Sequence, residues 1–119
     1  LNFDVRNNGF AAVTINFDPT GTTNGANLSG LSKLIFGVKS GKAKTVKVEI
    51  DDADGKRAVY YVTQVSSTQK YYELQTALAA QSVDLTKVKR INFVVDINSI
   101  NPGDEIDSLE LEIGGLQFP

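Results

Sequence analysis

The chain contains no histidine and no cysteine, and it also lacks tryptophan and methionine. Without histidine and cysteine it cannot form a Ser-His-Asp or Cys-His catalytic site, a thiolate cluster, an imidazole metal site or a disulfide. No apolar run approaches the roughly 20 residues that a membrane helix requires. The net charge of −2 argues against nucleic-acid binding through phosphate neutralisation. We therefore expect neither a membrane nor a nucleic acid as a partner.

The size and composition are typical of one soluble globular domain. The chain has 119 residues, of which 41% are hydrophobic and 22% are charged. We find no internal repeat and no domain boundary, so residues 1–119 are predicted to form a single domain and a monomer. Because the sequence has no methionine and no signal-peptide pattern, we expect a processed form or a module tethered to other domains of a larger protein.

Hydrophobic residues recur with period two through most of the chain, as they do in half-buried strands. The alternation is clearest in FAAVTINF, LSKLIFGVKS and KTVKVEID, and a shorter run, LNFDV, opens the chain. Further runs extend over Arg57 to Val65, Lys70 to Leu78, Val88 to Ile97 and Glu105 to Ile113. Turn-rich segments separate them, and only LQTALAAQ has helical composition. The pattern predicts an all-β protein, an antiparallel β-sandwich of about eight strands.

The segment IDDADGKRAVYYV, residues 50–62, contains a strong hairpin signal at Asp54-Gly55. A loop with an even number of residues places Tyr61 opposite Val48 on the core face, and Tyr60 then faces outward. An odd loop reverses this assignment, because a shift of one residue moves every side chain to the other face. A calcium-binding loop fits poorly, since Ile50 stands at its first ligand position. We predict an even loop with Tyr60 exposed and Tyr61 buried.

The acidic residues Glu110 and Glu112 lie two positions apart in one predicted strand. Glycoside hydrolysis requires two carboxyl groups that flank the scissile bond across a cleft. Neighbouring glutamates on the same face of one strand are more typical of a solvated edge. The sequence therefore predicts a protein that is not an enzyme.

Several segments resemble carbohydrate-binding modules with the galactose-binding-like jelly-roll fold. ANLSGLSKLIFGVKSG is similar to their dLSGy..L.F.iKg segment, VKVEIDDADGK to vkvel.DadGk, and VDLTKVKRINFVVD to dlskvk.i.Fvvd. EIDSLELEIGGL resembles the closing iyiDdI.l strand. The resemblance implies a non-catalytic, extracellular module that binds polysaccharide for a secreted or surface protein. It also implies a structural calcium ion with Asp107 among its ligands.

Jelly-roll connectivity, which the resemblance implies, groups strands two, seven, four and five in one sheet and strands one, eight, three and six in the other. Amides and hydroxyls on the outer side of the first sheet suit sugar hydroxyls, and an aromatic ring suits a pyranose face. The predicted ligand-binding residues are Tyr60, Asn16, Asn92, Gln64, Glu49 and Lys47. Tyr60 is the expected stacking platform for a β-glucan or similar plant cell-wall glycan. The alternative is a structural or adhesive spacer or assembly module with the same fold.

Overall fold

The computed structural model describes residues 2–3, 10–18, 21, 25–41, 43–96, 109–110 and 112–117. The early strands are β1 (Asn2–Phe3), β2 (Phe10–Asn16), β3 (Lys33–Lys39), β4 (Val46–Asp52), β5 (Arg57–Val62) and β6 (Lys70–Gln75). A short helix, α1 (Thr76–Ala79), and a 3-10 turn (Leu85–Lys87) come next. The last strands are β7 (Val88–Asp96), β8 (Leu109–Glu110) and β9 (Glu112–Gln117). No helix in these ranges is long and apolar enough to cross a membrane.

The described antiparallel strands form three sheets, and the two larger ones pack face to face, which confirms the predicted sandwich. One sheet has the order β2-β7-β4-β5, as expected, and the other has the order β6-β3-β9. The last predicted strand is divided: β8 pairs with β1, and β9 pairs with β3. The short α1 lies within the segment of helical composition.

The core lies between the two sheets and follows the alternation read from the sequence. In β3, the side chains of Leu34, Phe36 and Val38 are all buried. The ring of Phe36 meets the ring of Phe93, from β7 of the facing sheet, edge to face with centroids 5.2 Å apart. Aromatic pairs in this arrangement add to the stabilisation from apolar burial. This contact joins the two sheets at the centre of the core.

The hairpin between β4 and β5 has a different register from the predicted one. Val48 lies opposite Tyr60, and Lys47 lies opposite Tyr61. Tyr61 is therefore on the outer side of the sheet and is 67% exposed. Tyr60 is half-buried and packs against the core. The prediction that Tyr60 faces outward and Tyr61 is buried was wrong, because the loop has an odd number of residues.

The backbone of the loop explains why its length is odd. The amide of Asp52 donates to the carbonyl oxygen of Lys56 at 3.0 Å, which leaves Ala53, Asp54 and Gly55 as the loop. The amide of Gly55 donates to the carbonyl oxygen of Asp52 at 3.3 Å, as in a type I turn, and Gly55 has a φ of +80°. Asp54 has no positive φ. A type I′ turn needs a positive φ at both of its central residues, whereas a three-residue hairpin loop needs a positive φ only at its last residue.

Candidate functional site

The outer side of the β2-β7-β4-β5 sheet carries a regular array of polar side chains, which we call the outer face. Opposite residues of the four strands form three lateral rows across the sheet. The rows are Ala12-Val94-Lys47-Tyr61, Thr14-Asn92-Glu49-Val59 and Asn16-Arg90-Asp51-Arg57. Since neighbouring strands lie about 4.8 Å apart, each row extends roughly 14 Å. The face is therefore wide enough for an oligosaccharide.

Ion pairs hold the two carboxylates of this face in place. The guanidinium of Arg57 binds Asp51 through two nitrogens, with Nε–Oδ1 and Nη2–Oδ2 distances of 2.6 and 3.0 Å. Its Nη1 lies 3.2 Å from Oε2 of Glu49. Lys47 Nζ also lies 3.2 Å from that oxygen. Because two-nitrogen pairing of this kind fixes both partners, the centre of the face is preorganised.

Amide and hydroxyl groups extend this network toward β2. Asn92 is buried, and its Nδ2 donates to Asp51 Oδ2 at 3.2 Å and to Glu49 Oε1 at 3.4 Å. Its Oδ1 accepts a hydrogen bond from Thr14 Oγ1 at 2.9 Å. Asn92 thus connects three strands and fixes the orientation of its own amide.

The guanidinium of Arg90 makes weaker contacts with Asp51 than that of Arg57 does. Its Nε lies 3.9 Å from Asp51 Oδ2, a distance too long for a hydrogen bond, and its side chain is half exposed. The guanidinium presents several N–H donors at the edge of the face. Among the described residues the Arg90 guanidinium accordingly has no side-chain hydrogen bond that a ligand would need to break.

The protonation state of Asp51 does not suit acid catalysis. The hydrogen bonds from Arg57, assisted by its charge and by Asn92, hold the pKa of Asp51 below its ordinary value despite partial burial. A general acid at neutral pH needs a raised pKa instead. Glu49, the nearest other carboxylate, is engaged by Arg57 and Lys47. The arrangement can bind and orient a polar ligand, and Asp51 within it is not a proton donor of the kind that glycoside hydrolysis uses.

The structure brings most of the predicted binding residues together. Asn16, Asn92, Glu49 and Lys47 all lie on the outer face, as expected. Asn16 Oδ1 accepts a hydrogen bond from the amide of Asp18 at 2.9 Å.

Three predicted residues stand apart from that group. Tyr60 lies on the core side of β5 and lines a cleft at the sheet edge. Gln64 is exposed beyond the end of β5, where it lines the same cleft. Asp107 lies outside the described residues, so the predicted calcium ligand has no described position.

Sequence reasoning missed Tyr61, Arg57, Asp51 and Arg90 as members of the face. Tyr61 was assigned to the core side by the even loop. The sequence is also compatible with the odd loop. An acidic residue before a three-residue loop that ends in glycine can form a type I turn followed by one left-handed residue.

Comparison with known structures supports the likeness to carbohydrate-binding modules. The chain is similar to the family 11 carbohydrate-binding module of the cellulosomal cellulase Lic26A-Cel5E of Clostridium thermocellum, with a TM-score of 0.59. The similarity covers 98% of this chain and 85% of that one, at 16% sequence identity. The fold resembles that of a family 11 module. At this identity the likeness concerns the fold alone, and no family model and no curated sequence matches the chain.

Proposed function

We propose that the outer face binds a β-glucan or a similar plant cell-wall polysaccharide without catalysis. The observation that carries the proposal is the position of Tyr61, which stands 67% exposed on the same face as the preorganised polar network. An exposed aromatic ring can pack on the apolar face of a pyranose, as Tyr60 was expected to do. Tyr61 takes over that role because of the observed register.

The polar groups of the face suit sugar hydroxyls. Carboxylate oxygens accept hydrogen bonds from hydroxyls, while Arg90, Lys47 and Asn16 can donate to them. The ion pairs that hold Glu49 and Asp51 reduce the loss of side-chain entropy on binding, because these side chains are already ordered. A single exposed tyrosine on a polar face gives modest affinity, and we expect a Kd of roughly tens of micromolar to millimolar.

Tyr61→Ala should weaken binding to a mixed-linkage β-glucan by at least about tenfold, since the variant removes the stacking platform. The free energy of unfolding should change by less than about 0.5 kcal/mol, because an outward side chain contributes little to the core. Affinity electrophoresis and isothermal titration calorimetry measure the first quantity, and urea denaturation measures the second.

Tyr71→Ala is the matched control for this experiment. Tyr71 is 63% exposed, but it lies on β6 of the opposite sheet. Binding should be unchanged in this variant. If Tyr71→Ala abolishes binding and Tyr61→Ala does not, the binding face is the other sheet. If the unaltered protein is retained by no polysaccharide, the alternative of a structural or adhesive module is correct.

A structural calcium ion remains part of the proposal. Within the described ranges, no group of three or more histidine, cysteine, aspartate or glutamate residues is placed to hold a metal, and Asp107, the proposed ligand, lies outside those ranges. Calcium that binds only the folded protein raises its stability, by about 2.7 kcal/mol at a hundredfold excess over Kd. Thermal melting should therefore shift upward with calcium and downward with a chelator. Identical melting curves in the two conditions would exclude the site.

The structural similarity to a cellulosomal carbohydrate-binding module supports an extracellular location. We infer that the module belongs to an extracellular multimodular protein and that it attaches this protein to its polysaccharide. The similar structure comes from a cellulosomal enzyme.

A further inference from the structure

A depression of about 390 Å³ lies at the end of the outer face that is next to the hairpin between β4 and β5. Arg90, Asp51 and Arg57, from one lateral row, line it together with Asp52 and Gly55. We call it the arginine pocket. Both arginine side chains are about half exposed, so a ligand can reach them. The buried carboxylate of Asp52 accepts from three backbone amides, so its oxygens are already bonded.

The two guanidiniums retain hydrogen-bond donors that their side-chain contacts do not use. Each guanidinium has five N–H groups. Arg57 donates from Nε and Nη2 to Asp51 and from Nη1 to Glu49, which leaves one N–H on each terminal nitrogen. Arg90 makes no side-chain hydrogen bond among the described residues, and its Nε lies 3.9 Å from Asp51 Oδ2. The arginine pocket therefore suits a ligand that is rich in acceptors.

The three lateral rows of the outer face also carry an excess of one positive charge. Their cations are Lys47, Arg57 and Arg90, and their carboxylates are Glu49 and Asp51. Close contacts join both carboxylates to Arg57 and Lys47, at distances of 2.6 to 3.2 Å. Arg90 approaches Asp51 only to 3.9 Å. The charge of Arg90 is thus the least compensated of the three, although the whole chain has a net charge of −2.

We propose that the arginine pocket binds the carboxylate of a uronic acid, and that the polysaccharide of the outer face is therefore an acidic one. The inference rests on the proposed function and specifies its substrate class. A carboxylate presents two coplanar acceptor oxygens that match the fork of a guanidinium, and its charge complements that of Arg90. The remaining N–H groups of Arg57 add donors beside it.

The uronic acid is a different sugar from the one that stacks on Tyr61. The two residues are separated by two strand spacings across the sheet and by four residues along it. In ordinary sheet geometry this places their Cα atoms roughly 16 Å apart. Stacking and charge recognition therefore act at separate points of one polysaccharide chain, and each can be removed without the other.

The test compares a mixed-linkage β-gluco-oligosaccharide with the same compound after oxidation of part of its C6 hydroxyls to carboxylates. By calorimetry at low salt, the unaltered protein should bind the oxidised compound at least about threefold more tightly, as a partly exposed charge pair predicts. About 1 M salt should reduce this preference by screening. Arg90→Gln should abolish the preference and keep the affinity for the neutral compound within about twofold, because glutamine retains N–H donors but has no charge.

Lys33→Gln is the matched control for charge. It removes the same charge from β3 of the opposite sheet, where Lys33 pairs with Glu73 at 3.1 Å. It should retain the preference for the oxidised compound. Both variants should keep nearly the melting temperature of the unaltered protein, because both substitutions replace side chains at the surface.

Equal affinity of the unaltered protein for the two compounds overturns the uronate subsite and leaves the proposed function intact. A preference that survives in Arg90→Gln, or one that Lys33→Gln also loses, overturns it as well. An equal loss of affinity for both compounds in Arg90→Gln does the same, because Arg90 then recognises neutral sugar. Binding of neither compound contradicts the proposed function itself.

Discussion

Gly25→Ala should destabilise the protein by on the order of 3–4 kcal/mol, because the new methyl group meets backbone atoms that cannot move aside. A Cβ at this position would lie 2.0 Å from the carbonyl oxygen of Val88 and 2.6 Å from its carbonyl carbon. Gly25 also has a φ of +83°. The neighbouring pair Ala26–Val88, joined by two backbone hydrogen bonds of 2.9 Å, would have to separate. Urea denaturation measures the loss.

Gly21→Ala separates the two causes of this destabilisation. Gly21 has a similar φ of +69°, but a Cβ there would meet no atom of the described residues within 4 Å. This variant should therefore lose only the roughly 1–2 kcal/mol that the left-handed conformation costs a residue with a side chain. Equal losses in the two variants would show that the approach of Gly25 to Val88 is not what constrains this position.

Asp52→Ala should lower the free energy of unfolding by about 2–4 kcal/mol, because one buried carboxylate satisfies three backbone amides. Asp52 is only 4% exposed. Its Oδ1 accepts from the amides of Asp54 and Lys56, both at 2.9 Å, and its Oδ2 accepts from the amide of Asp84 at 2.8 Å. The first two bonds hold the hairpin loop, and the third connects it to a segment 32 residues away. Denaturation at neutral pH measures the effect.

The pH dependence provides a second measurement on the same variant. Burial opposes ionisation of Asp52, but the hydrogen bonds from the amides of Asp84, Lys56 and Asp54 outweigh it and hold the pKa below its ordinary value of 3.8. A group whose pKa is lower in the folded state stabilises the protein above its unfolded pKa and loses this effect as the pH falls through the folded value. The difference between Asp52→Ala and the unaltered protein should therefore be largest above about pH 5 and should shrink below pH 3.8.

Asp54→Asn is the control for the charge of the loop. Asp54 is exposed and pairs with Lys87, with Nζ–Oδ2 of 2.8 Å, so its substitution should cost less than about 1 kcal/mol. Equal losses of stability in Asp52→Ala and Asp54→Asn would show that the buried carboxylate does not hold the loop. A loss in Asp52→Ala that does not depend on pH would show the same.

Local sequence patterns were sufficient for the strands and for much of the outer face. Alternation placed Phe36 and Phe93 in the core, and it placed Glu49 and Asn92 on the opposite side of their strands. Such patterns are reliable because the pleat sends successive side chains to opposite faces, and only one face can be buried at low cost. The family resemblance supplied the neighbours of each strand, which alternation alone does not specify.

The sequence by itself determined the sandwich, its core and the polar character of one sheet, because these depend on the residue types along each strand. Only the tertiary structure decided which tyrosine is exposed. Asp54-Gly55 alone is compatible with either loop parity. In the folded protein the buried carboxylate of Asp52 binds the amides of Asp54 and Lys56 in the odd loop, and it also binds the amide of Asp84, which is distant in sequence. These contacts belong to the folded protein, in which Tyr61, not Tyr60, stands on the outer face.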